Sequence, residues 1–205
     1  MVATVIINEA NGGSDGAPFS KTQVDGIGGN DGTDVRFATT DSATPIATYP
    51  CIIPTSDFNY SYWKHLFLDI SGTFTTVNNI RFYTDGTIGW TCGTGGGLYV
   101  GTRDTGDNGC PMDLEYDVAT GTEGTTGHAM DDGTNGHGYY KGQSPAWVLA
   151  STCTSVSPLE VDTADYTSAD ESDAVVLQVK LDTAANSAVQ GTQTDETLTF
   201  LYDEI

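Results

Sequence analysis

Basic residues are the scarcest class in this chain of 205 residues: 7 Lys and Arg stand against 28 Asp and Glu, a formal charge of −21. So acidic a surface repels phosphate backbones and anionic headgroups, which argues against nucleic-acid binding and against attachment to a membrane. Its plainest meaning is solubility, including in a salty medium. No apolar run comes near the roughly 18 residues of a membrane span. Met1 leads into residues 2–9 without a basic n-region, so synthesis in a cytoplasm without a signal peptide is expected.

Cysteine and histidine are sparse as well. Cys51, Cys92, Cys110 and Cys153 are separated by 40, 17 and 42 residues, which matches no CxxC pair and no haem or zinc motif. Free buried thiols are therefore expected. His65, His128 and His137 form no i,i+4 pair and no His-x-His group. His65 falls in an alternating stretch and is expected at a strand surface or edge, while His128 and His137 are expected to pack within a glycine-rich loop. No Gly-x-Ser-x-Gly elbow accompanies them. The glycines at 93 and 95–97 run into the extended stretch Leu98-Tyr99-Val100, whereas a phosphate-cradling loop opens a helix. Carboxylates are so abundant that the nearness of any two identifies no acid and base. No catalytic residue, no cofactor and no enzymatic activity are expected.

Long runs of helix formers are missing too, whereas 25 glycines, 7 prolines and 31 threonines are spread along the chain. These features predict an all-β protein, a single-domain β-sandwich over residues 1–205, jelly-roll or immunoglobulin-like, with long Gly/Asp/Thr-rich loops. In residues 174–181, Val175, Leu177, Val179 and Leu181 share one face at period two, with Gln178 and Lys180 expected to point away from the core. Leu198, Phe200 and Tyr202 repeat the pattern near the C-terminus, so this end reads as a paired strand. Further strands are expected at 4–8, 35–38, 61–70, 79–84 and 98–101, bounded by turn residues. A short helix could open at Pro111. Ser168 to Glu171 has capping-box spacing, but Val175 and Val176 follow too soon and favour a strand.

The intervening loops, 11–34, 101–111 and 121–142, are long for a compact domain and are candidate contact surfaces. Two of them place oxygen side chains two or three residues apart on a glycine-flexible backbone. This makes Asp104, Asp107, Asn108, Asp131 and Asn135 candidate ligands for a structural calcium ion, with ordinary Asx turns as the competing reading. Neither loop carries the closing Glu of the twelve-residue calcium pattern. Phe58, Tyr60, Tyr62, Trp63 and Phe67 could line a sugar-binding face, but aromatic strand positions more often fill a core.

Four segments carry a resemblance: Val5-Ile6-Ile7-Asn8-Glu9-Ala10-Asn11-Gly12, Asn59-Tyr60-Ser61-Tyr62-Trp63-Lys64, the run from Gly72 to Gly86, and the ending from Glu196 to Ile205. In these the chain resembles a group of small proteins encoded in tailed-phage genomes and viral metagenomes, often beside capsid genes. The resemblance implies a virion structural component, and capsid decoration as its most specific form. The implied partner is the major capsid protein and the implied location the outer capsid surface, after synthesis in the host cytoplasm. The acidic charge agrees with the outside of a shell that holds DNA. The threefold positions of capsid lattices suggest a homotrimer, and residues 1–11 and the glycine-rich loops are the expected grips. The rivals are a head-fibre, tail or collar component and a carbohydrate- or calcium-binding β-sandwich module.

Overall fold

A computed structural model describes residues 2–13, 15–16, 19–24, 34–44, 48–101, 115–143, 147–191 and 193–205. The protein is essentially all β, with two antiparallel sheets packed face to face as a β-sandwich. Its strands are β1 (Ala3–Asn11), β2 (Ser20–Gln23), β3 (Asn59–Tyr60), β4 (Lys64–Gly72), β5 (Val77–Thr84), β6 (Gly97–Gly101), β7 (Gly121–Thr122), β8 (Thr126–Gly127), β9 (Trp147–Leu149), β10 (Leu159–Asp162), β11 (Asp170–Glu171), β12 (Val175–Leu181) and β13 (Leu198–Glu204). In the large sheet the order β2-β1-β4-β12 continues through β6 to β9 on one branch and through β3 to β8 and β7 on the other. The small sheet is β10-β5-β13.

Period-two patterning sets the core between the sheets. Val5 from β1, Leu66, Leu68 and Ile70 from β4, and Val175, Leu177 and Val179 from β12 face Val77, Ile80 and Phe82 of β5 and Val161 of β10. Phe200 of β13 meets Phe82 edge to face at 5.7 Å. Each such aliphatic side chain, fully buried, contributes about 1.5–3 kcal/mol. The C-terminal residues are thus a paired strand, as expected, in register with β5 from Leu198↔Thr84 to Glu204↔Val77.

The large sheet is covered on its other face as well, which the alternating pattern does not reveal. Residues 115–143, which also supply the sheet's own β7 and β8, otherwise lie across it, and Tyr116, Ala119, Met130 and Tyr140 pack against Trp63, Phe67, Ala174 and Val176. Gln178 is therefore buried rather than pointing into solvent. Its amide nitrogen donates to the carbonyls of Ser61 (2.8 Å) and His128 (2.7 Å), and its Oε1 accepts from the Met130 N–H (3.1 Å). One glutamine thus ties the covering layer to the central strand.

Several expectations are corrected. Residues 35–38 form no strand; Val35 and Phe37 pack on the core from an irregular segment. The strand expected from residue 61 begins at Lys64, because Ser61 turns its backbone N–H and its hydroxyl to β12 and the Tyr62 N–H to Ala38. The N-terminal segment expected as a grip is largely built into the fold: β1 lies between β2 and β4 and pairs with both, and Ala3, Val5, Asn8, Glu9, Ala10 and Asn11 are buried, which leaves Val2 exposed. The helix start proposed at Pro111 lies outside the described residues.

Candidate functional site

The interior holds an unusual concentration of ionisable groups where β1 ends against β4. Lys64 and Glu9 are fully buried and form an ion pair at 2.8 Å, and the Lys64 ammonium also donates to the Ser42 carbonyl at 2.6 Å. Asn11 Nδ2 reaches the same Glu9 oxygen at 3.3 Å. The other oxygen, Oε2, is buried with no hydrogen-bond partner among the described residues. Burial raises the Glu9 carboxyl, and Lys64 pulls it back. Asp41, also raised by burial, accepts from the Gly12 N–H at 2.9 Å and from the Tyr116 hydroxyl. That hydroxyl is in turn pushed far above its ordinary value, first by burial and then by its bond to Asp41.

On the opposite face of β4, His65 meets His137 of the covering layer, Nε2 to Nε2 at 2.8 Å. The surrounding donors assign both tautomers. His137 Nδ1 accepts the Tyr139 N–H at 3.1 Å, so its Nε2 carries the proton and donates to His65, whose Nε2 also faces the Asp117 N–H at 3.4 Å. Both rings are neutral. Burial holds His137 down at about 3 and His65 well below the ordinary range, each further lowered by a neighbouring cation or imidazole. Tyr116 lies at 5.1 Å from His65 and Trp63 at 5.8 Å from His137, ring to ring. The reading of His65 as a strand-surface residue is therefore corrected: it is 1% exposed, in the interior of a sheet covered on both faces. His137 packs in its loop as expected, and His128 bonds Thr120 Oγ1 at 3.0 Å.

As folded, this cluster fastens segment to sheet: Glu9, Lys64 and both imidazoles are buried, Asp41 and Asp117 are half-buried, and Glu9 Oε2 apart they are held by hydrogen bonds. Sequence reasoning missed it because its members lie far apart along the chain, and the one local signal was a lysine and a glutamate inside strands of otherwise apolar alternation.

Of the candidate calcium ligands, Asp104, Asp107 and Asn108 lie outside the described residues. Asp131 and Asn135 belong to a turn held by their neighbour Asp132, whose Oδ1 accepts the N–H groups of Thr134 (2.9 Å) and Asn135 (2.7 Å). Those bonds hold the Asp132 carboxyl below its ordinary value. This is Asx-turn geometry, and no group of three or more His, Cys, Asp or Glu poised for a metal occurs among the described residues.

A cleft of about 750 Å³ opens between the sheets, walled by Ile7, Leu66, Trp90 and Phe200, with Cys51 and Cys92 in its lining. Burial pushes the Cys51 thiol up to about 12 and the Cys92 thiol to about 11, so both stay protonated and poorly nucleophilic at neutral pH. Cys51, Cys92 and Cys153 are free thiols, and Cys110 lies outside the described residues.

The aromatic set divides. Tyr62, Trp63 and Phe67 are core, Tyr60 is half-buried and Phe58 is exposed. Comparison with protein-family models, curated proteins and solved structures finds no match for this chain.

Proposed function

We propose that the protein is a structural component of a tailed-phage particle, in its most specific form a decoration protein seated on the outside of the capsid shell. The observation that carries the reading is the distribution of chemistry over the molecule: the ionisable groups that are buried hold the fold, and the acidic outside offers a strand edge with apolar residues. Among the described residues no strand pairs with the outer edge of β13 in the small sheet. Leu201 on that strand is 39% exposed, and Val2 and Ile205 are both 76% exposed at the pole where Ala3 N–H bonds the Glu204 carboxylate at 2.7 Å. An unpaired edge beside exposed aliphatic side chains suits docking by strand addition or flat packing onto another protein. The four resembling segments map onto β1, β3 with the start of β4, β5, and β13, so the resemblance lies in fold-building elements. The charge of −21 disfavours contact with packaged DNA and favours the outer surface.

The major capsid protein is the proposed partner, and a homotrimer on threefold positions the proposed assembly. The test is to purify particles on a density gradient and quantify this chain against the major capsid protein by mass spectrometry. Near-stoichiometric copies are expected, with Leu201→Lys protein failing to bind undecorated shells. A handful of copies per particle would make it a head-fibre, tail or collar component, and absence from particles would overturn the virion reading. A monomer by light scattering that is still monomeric on a reconstructed shell would remove the trimer.

A further inference from the structure

Beside the covering layer, against whose apolar cluster Trp147 packs, a set of half-buried aromatic rings lies on the outer face of the large sheet. Registers Tyr60↔Lys180, Tyr99↔Gln178 and Gly101↔Trp147 place Tyr60, Lys180, Tyr99 and Trp147 on the face opposite the sandwich core. The rings form a connected set: Trp147 lies 4.7 Å from Tyr99 and 5.8 Å from Tyr60, the latter pair stacked at 29°. The Lys180 ammonium sits 3.8 Å from the ring centre of Phe58, which is 37% exposed, and 5.8 Å from that of Tyr99. Tyr60, Tyr99 and Trp147 are half-buried. At the Tyr60 end stand Asp131 and Asp132, close enough that, after burial, their charges raise the Tyr60 hydroxyl.

We infer that this set is a binding platform for a neutral polysaccharide, its rings stacking on sugar faces and its flanking carboxylates and ammonium bonding sugar hydroxyls. Rings already packed on one another lose little freedom on binding, and their electron-rich faces accept the C–H groups of a pyranose. The residues come from four adjacent strands, yet the rings of the outermost two, Tyr60 and Trp147, lie 5.8 Å apart, so the set is a compact patch that suits one or two sugar rings of a chain. The two carboxylates disfavour anionic occupants of this aromatic face. A nucleic acid or an acidic glycan would bring its anions against Asp131 and Asp132. An uncharged, hydroxyl-rich polymer meets no such repulsion. The inference is independent of the virion proposal.

Affinity electrophoresis of the full chain tests it, in gels containing soluble β-glucan, galactomannan or amylopectin, with alginate as the acidic control. Retardation by at least one neutral polysaccharide and not by alginate is expected, and Trp147→Ala or Tyr99→Ala should weaken it about tenfold, with an unchanged circular-dichroism melt showing that the variant is folded. Should Trp147→Ala fail to fold, Tyr60→Ala and Phe58→Ala at the more accessible end carry the same expectation. Absence of retardation by every neutral polysaccharide, equal retardation by alginate, or wild-type binding by the folded variants would overturn the inference. So would concentration-dependent self-association in a plain gel that Trp147→Ala abolishes, since the face would then be an interface between copies.

Discussion

Lys64 carries its charge into the fully buried end of β4, where Glu9 and the Ser42 carbonyl answer it. Removing one partner of such a pair costs more than the pair contributes, because the survivor stays desolvated and alone. Lys64→Met is therefore expected to lower the unfolding free energy by about 3–5 kcal/mol, and Lys64→Met with Glu9→Leu to lose less than that, both read from urea melts. A double variant as unstable as the single one would show that the pair is not the source. The histidine pair makes a pH prediction. Both imidazoles are depressed, so as pH falls below about 6.5 the unfolded chain takes up protons that the folded chain refuses, down to about 3 for His137. Stability is lost on the acid side, with a limiting slope near ~2.7 kcal/mol per pH unit for two such groups. Glu9, Asp41 and Asp117, raised by burial, work in the opposite sense, because the folded chain holds protons that the unfolded chain has already released. The histidine contribution is thus a difference: between pH 7 and pH 5 the wild type should lose stability more steeply than His65→Gln with His137→Asn, and parallel slopes would refute it.

At the scale of elements, the covering layer and the C-terminal strand show what each connection supports. Gln178→Leu leaves the Met130 N–H and two carbonyls without their partner, about 1–3 kcal/mol for a buried orphan. Residues 115–143 should become a preferred site of limited proteolysis while the sandwich remains intact, and an unchanged cleavage pattern would show that Gln178 does not hold the layer. A chain ending at Thr197 lacks β13, strips the cover from Phe82 and leaves β5 unpaired on one side. It should melt without a cooperative transition by circular dichroism. The strands 175–181 and 198–204 were plain from period-two patterning, because each has one strongly apolar face. Residues 35–38 have similar composition yet no ladder, since extended apolar segments become strands only where a partner edge is available.

Over the whole molecule the dominant long-range force is self-repulsion. The exposed pairs Arg36–Asp34 and Arg81–Asp203 contribute little individually, whereas a net −21 acts on the entire surface. Raising NaCl from a few millimolar to about 0.15 M, where the Debye length is about 8 Å, should raise Tm in calorimetry; a fall would mean that attractive surface pairs outweigh the repulsion. The all-β class, the acidic exterior and the two long C-terminal strands were legible from composition and local periodicity, because backbone preference and side-chain alternation act within a few residues. That the large sheet is covered on both faces, that His65 and His137 are hydrogen-bonded, that Glu9 and Lys64 pair, and that Tyr60, Tyr99 and Trp147 form one set were decided by tertiary packing. Each of these joins residues tens of positions apart, and no local pattern encodes which long segment folds back over which sheet.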